Sequence, residues 1–167
     1  LDDFNLEVPA GQRIAIVGRT GSGKSTIARL LMRFYELQAG VITLDGHDIT
    51  SLTQRSLRGA ISLVPDEPFL FSTSVHENIA YGNPGATSEE VEAAARAAQA
   101  HEFILGLDDG YKTIVGERGY DLSGGQRQRI SLARLFLQDS QVIILDDSTS
   151  AIDVEIEERI HHALKDL

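Results

Sequence analysis

The sequence contains no cysteine. Disulfide scaffolds, zinc–thiolate clusters and thiol catalysis are thereby excluded. Long hydrophobic runs are also missing. IAIV (14–17) and VIIL (142–145) are strand-sized, far short of the ~20 apolar residues that cross a bilayer. Basic residues are in deficit, with 15 Lys and Arg against 25 Asp and Glu, for a formal charge of −10. Such a surface repels phosphate polymers and argues against nucleic acid as a partner. It still leaves room for a local phosphate site made of backbone amides and one Lys. No internal repeat, low-complexity tract or signal-peptide pattern occurs. Leu1 is not an ordinary start, so the chain reads as an excerpt of something longer. Its 167 residues, 42% hydrophobic and 24% charged, suffice for one globular domain with a real core.

Apolar periodicity orders the chain. QRIAIVG (12–18) reads as a buried strand ending at Gly18, and IARLLMRFYEL (27–37) as a helix. VITLDG (41–46) predicts a strand with a turn signal, and AISLV (60–64) another, closed by Pro65 and Pro68. Ser74 with Glu77, and Thr87 with Glu90, have capping-box spacing ahead of helical stretches. QVIIL (141–145) resumes strand character. Asp153 is placed to cap a last helix with Ile156, Ile160, Ala163, Leu164 and Leu167 on one face. The expected fold is α/β: a core from 1–71 and 141–167 with a mainly parallel sheet, and a helical insertion over 72–140.

Between the first strand and first helix stands Gly18-Arg19-Thr20-Gly21-Ser22-Gly23-Lys24-Ser25, which fits G-x-x-x-x-G-K-[ST]. Glycines such as Gly21 and Gly23 let the backbone wrap until successive N–H groups, Ser22 among them, point at phosphate oxygens. Lys24 can reach the β- and γ-phosphates, and the Ser25 hydroxyl can ligate Mg²⁺. A strand before it and a helix after it argue against an accidental glycine turn. By itself the loop specifies only a nucleoside triphosphate. No N-K-x-D occurs, so the usual guanine-reading element is absent.

DLSGGQRQRISLARLFL (121–137) begins a second helix, with Ser123 and Gln126 at capping-box spacing. Its first turn holds Gly124 and Gly125, each costing about 1 kcal/mol of helix propensity. Composition leaves two readings open: a flexible turn, or a helix start kept bare so that an anion can approach its amides. One γ-phosphate cannot easily use both glycine-rich helix starts of one chain. Two chains, each lending its second helix to the other's nucleotide, would resolve this.

VIILDDSTSAID (142–153) runs from an apolar strand into Asp146 and Asp147. With these segments in place, the chain resembles the nucleotide-binding domain of an ABC transporter of exporter type. LSGGQ (122–126), ~100 residues after Lys24, is similar to the family's signature. VIILDD resembles its Walker B strand and SAID (150–153) its D-loop. TIVGERG (113–119) and ENIAYG (77–82) look like exporter stretches, so nearly the whole chain is covered.

The resemblance implies a RecA-like P-loop NTPase core and ATP with Mg²⁺ as ligands. Lys24, Ser25 and Thr26 would bind the triphosphate and metal, and Asp146 would hold the metal through water. Ser123, Gly124, Gly125 and Gln126 would face the γ-phosphate of a second nucleotide-binding domain. Asp153 would cross the dimer interface, and Glu117 and Arg118 would sense transmembrane helices. It also implies a transmembrane domain in the same or a partner chain, and a place at the cytoplasmic face of a membrane.

Two positions depart from the family pattern. Asp147 stands where most members have the Glu that acts as general base. Its carboxylate stops one methylene short, about 1.3 Å, and a misplacement near 1 Å can cost on the order of 100-fold. Asp66, in VPDEPFLF (64–71), stands where exporters have Gln. It either faces the metal or points away as a hinge residue. The family's adenine-stacking aromatic would precede Leu1, and its switch histidine and last core strands would follow Leu167. Exposed sheet surface is therefore expected.

Three readings follow. In the first, ATP closes a head-to-tail dimer and hydrolysis reopens it to drive transport. The alternative, which Asp147 and Asp66 favour, is a degenerate half of a heterodimeric exporter that mainly clamps ATP. A soluble repair or translation ATPase is the third. The short gap between loop and signature and the exporter-like TIVGERG speak against it. His161 and His162, adjacent on a helix, read as surface residues.

Overall fold

A computed structural model describes residues 3–119 and 121–165, apart from the side chain of Arg118. Leu167 lies outside this range. Two compact units follow one another, the first ending at Arg58 and the second beginning at Gly59.

The first unit holds α1 (Lys24–Leu31) and an antiparallel hairpin of β1 (Thr43–Leu44) and β2 (His47–Asp48). Asp45 and Gly46 join these strands with φ of 48° and 79°. Both values are left-handed, as a two-residue turn that matches strand twist requires. A 3₁₀ turn (Ile49–Ser51) leads to α2 (Gln54–Ala60), within which the first unit ends. Arg33 fastens this unit by donating from Nη1 to the carbonyls of Ile49 (3.1 Å) and Leu52 (3.0 Å).

The strand expected over 12–18 is not formed. Ile14, Ile16 and Val17 are exposed there, Val17 by 89%. The run has strand composition, but a strand is a shared structure whose amides and carbonyls need a neighbour. Among the described residues, β1 pairs with β2 and β3 with β4, leaving no strand laddered to 12–18.

In the second unit, β3 (Ile61–Val64) and β4 (Val142–Leu145) pair in parallel, with Ile61 opposite Val142 and Val64 opposite Leu145. The ladder continues at both ends, from Gln141 N–H to the Ala60 carbonyl and from Asp146 N–H to the Val64 carbonyl, each 3.0 Å. The long crossover between them carries α3 (Val75–Ala80), α4 (Ser88–Ala97), α5 (His101–Leu105) and α6 (Gly124–Leu137). Helix α6 is the centre, packed on α3, α4 and β3. It buries Ile130, Leu132, Ala133 and Leu135 in a core with Leu70, Val75, Ile79, Val91 and Ile104. Each fully buried aliphatic side chain contributes about 1.5–3 kcal/mol.

All three predicted capping boxes form, at Ser74–Glu77, Thr87–Glu90 and Ser123–Gln126. α7 (Val154–Ala163) starts after Asp153, which has the extended N-cap conformation but makes no side-chain cap bond. Its Ile160 and the C-cap residue Leu164 are buried. Arg134 of α6 locks the crossover. Its guanidinium donates to the Asn78 carbonyl (2.6 Å), Asn78 Oδ1 (2.7 Å) and the Phe69 carbonyl (2.6 Å). Burial pushes its pKa down to about 10.

Candidate functional site

The first glycine-rich helix start heads α1. Gly23 occupies its N-cap in a left-handed conformation (φ 95°, ψ 8°), and no side chain caps the helix. Ser22 N–H donates to the Arg19 carbonyl at 3.0 Å, and Ile27 N–H to the Gly23 carbonyl at 3.1 Å. The Lys24 ammonium crosses the loop to the carbonyls of Gly18 (2.8 Å) and Arg19 (3.2 Å). Lys24 and Ser25 are half-buried, while Gly21, Ser22 and Thr26 are exposed. A helix start whose amides are covered by no side chain, with an ammonium fixed beside it, suits a dense anion.

The carboxylates are in the second unit, at the end of β4. The bond from Asp146 N–H to Val64 sets Asp146 level with the turn that begins Pro65-Asp66. Asp146 is half-buried, and Asp147 and Asp66 are exposed. Asp147 has φ of 54°, a left-handed conformation that Asp tolerates better than most residues but that still costs of order 1 kcal/mol. A turn follows, in which Ser150 N–H donates to the Asp147 carbonyl (3.4 Å) and Ile152 N–H to that of Thr149 (2.9 Å). Thr149 Oγ1 donates to Glu157 of α7 at 2.7 Å.

The second glycine-rich start heads α6. Ser123 N–H donates to Gln126 Oε1 (2.8 Å), and Gln126 N–H to Ser123 Oγ (3.2 Å). The Gln126 carbonyl oxygen is thus engaged within its own helix. A Cβ at Gly125 would stand 2.7 Å from the Ala151 carbonyl oxygen, whereas one at Gly124 would make ordinary contact with the Ala151 methyl at 3.5 Å and Arg127 Nη2 at 4.0 Å. Gly125 is therefore required by its own chain, a reason separate from anion access.

Asp66, Asp146, Asp147 and the head of α6 accordingly lie on neighbouring segments of the second unit, and Gly21–Thr26 lie together in the first. Sequence reasoning missed Gln128, a buried side chain of α6 that touches both acidic turns. Its position three residues after Gly125, on the same helical face, was the available signal.

Residues 1–150 match the family model described as ABC transporter. The chain is 52% identical over 165 residues to ABC transporter B family member 14 of Arabidopsis thaliana, covering 99% of this chain and 13% of that protein. Over 167 residues it is 50% identical to the putative multidrug export ATP-binding/permease protein YgaD of Bacillus subtilis, covering 100% of this chain and 29% of that protein. The solved structure of a bacterial Atm1-family ABC exporter with ATP bound superposes with a TM-score of 0.93 at 47% identity, covering 96% of this chain and 28% of that one. Against these two curated relatives, then, the chain spans 13% and 29% of their length.

Proposed function

The chain belongs to the ABC transporter family, as an ATPase domain with the P-loop NTPase fold, and from that premise we propose that it binds and hydrolyses ATP to power transport by a larger membrane exporter. In this proposal residues 1–71 and 141–167 are assigned to the nucleotide-binding core and 72–140 to the helical subdomain. Transmembrane segments lie in the same or a partner chain. Among the described residues, no helix is long and apolar enough to cross a membrane, and this domain works at the cytoplasmic face.

Backbone amides from Gly21 to Thr26 and the Lys24 ammonium hold the β- and γ-phosphates. Ser25 and Asp146 would hold Mg²⁺, since a hydroxyl and a carboxylate are the hard oxygen donors it takes. A metal held there would neutralise charge on the phosphate oxygens. Asp147 accepts a proton from the attacking water as the terminal phosphoryl group transfers to it, releasing ADP and phosphate. Asp66, on the turn level with Asp146, is a further acidic residue of the proposed site. Ser123, Gly124, Gly125 and Gln126 present the amide-rich head of α6 to the nucleotide of a second such domain, so that ATP closes a head-to-tail dimer.

The observation that carries this reading is the uncapped head of α1 with Lys24 fixed across its loop. Titration calorimetry of the full-length protein with Mg-ATP tests it. Heat of binding is expected, and is lost in Lys24→Ala; no heat in the parent protein overturns the reading. The short side chain of Asp147 favours a second reading, a domain that clamps ATP and turns it over slowly. Asp147→Glu restores reach, so single-turnover hydrolysis should rise by up to about 100-fold. An unchanged rate means that the missing methylene is not what limits hydrolysis.

A further inference from the structure

Gln128 is 3% exposed, and a buried amide needs partners for both its donor and its acceptor. It finds them on the two turns that carry the acids. Its Oε1 accepts from Ala151 N–H at 3.2 Å. Its Nε2 lies 3.4 Å from the Asp66 carbonyl oxygen and 3.5 Å from Ser150 Oγ. Ala151 ends the turn that starts at Asp147, whose own φ of 54° is left-handed. One helical turn earlier, Gly125 lies so close to the Ala151 carbonyl that a Cβ would stand 2.7 Å from it. The same face of α6 thus grips residues 150–152 twice, once by bare backbone contact and once by an amide.

We infer that Gln128 is a positioning residue: it fixes the turn carrying Asp147 against the Asp66 backbone and so sets where the Asp147 carboxylate stands during hydrolysis. The inference rests on the proposed ATPase role of Asp147. An apolar residue of equal volume would fill the same space, yet would leave the Ala151 amide and the Asp66 carbonyl unmet. The turn would then relax, and a carboxylate already short by one methylene loses register.

The test compares the parent full-length protein with Gln128→Met, Asp147→Ala and the double variant. Gln128→Met is expected to lower kcat on the order of 10-fold while KM for ATP changes less than about threefold, and amide exchange over 146–153 should accelerate. In the Asp147→Ala background the same substitution should produce no further loss, because Gln128 acts through that carboxylate. A merely structural Gln128 would instead lower the rate by the same factor in both backgrounds, which overturns the inference. Unchanged exchange over 146–153 also overturns it, whatever the rates. Absence of turnover in the parent protein is a separate result that removes the functional reading itself, and this role with it.

Discussion

The heads of α1 and α6 are built from similar residues and held in opposite ways. At α1, Gly23 is the N-cap, no side chain caps the first amides, and the run before it is exposed. At α6, Ser123 and Gln126 close a full capping box, Leu122 is buried, and Gly125 is pressed onto Ala151. The first start depends on glycine conformation and has no side-chain cap. The second is ordered by its own chain before any ligand arrives. A glycine-rich helix start is therefore not one device. At 23 the glycine serves backbone torsion, and at 125 it serves space.

The sharpest way to break this contrast is to add one methyl group at each glycine of the α6 head. Gly125→Ala drives a Cβ into the Ala151 carbonyl, a backbone atom that cannot swing aside. Turnover should fall on the order of 100-fold through displacement of the turn behind Asp147, with about 1–3 kcal/mol lost from stability by overpacking. Gly124→Ala makes ordinary contact at 3.5 Å and should gain up to about 1 kcal/mol from helix propensity. Thermal unfolding and steady-state ATPase rates of the pair decide the matter. Equal destabilisation by the two would show that position 125 is not set by close approach.

A smaller effect separates torsion from capping. Gly23→Ala must hold a side chain at φ 95°, costing about 1–2 kcal/mol, with ATP affinity weakened because the loop amides turn away. Ser123→Ala removes one cap acceptor and should cost about 1 kcal/mol, weakening ATP binding at the glycine loop less than Gly23→Ala does. Binding calorimetry beside thermal unfolding checks both. Should Ser123→Ala weaken binding at that loop as strongly as Gly23→Ala does, the two heads are not independent.

These differences track what could be read from residues alone. The capping boxes, the Asp45-Gly46 turn and the β3 and β4 strands are local matters of spacing and torsion, and all were legible. The parallel pairing of β3 with β4 was legible in outline, because a parallel pair needs a crossover of a dozen or more residues and the helical stretch between the two apolar runs supplies one. QRIAIVG was not, because composition reports what a strand is made of and not whether a neighbour lies alongside. At the site, the glycine loop, Asp146 and the LSGGQ head stood out as motifs. Gln128 did not, since its importance comes from two turns that reach it across sequence separations of 62 and 23 residues. Nor did the clash at Gly125, which depends on where a distant carbonyl lies.

The smallest predicted effect tests the capping device itself. The box at α6 uses the neutral amide of Gln126, whereas the box at α3 uses the carboxylate of Glu77. Glu77 accepts from the Thr73 hydroxyl, the Ser74 amide and the Ser74 hydroxyl, and these bonds hold its pKa below the ordinary 4.5. A carboxyl lowered on folding contributes stability that is present above its unfolded pKa and disappears as pH falls through the folded one. Amide exchange over Val75–Ala80, taken relative to intrinsic rates, should therefore lose protection on acidification below about pH 4.5. The head of α6 should keep its protection over the same interval. Glu77→Gln converts the first box into the chemistry of the second, and its α3 protection should become flat with pH. If protection at α3 still falls with acid in that variant, the loss comes from another carboxylate and not from the cap.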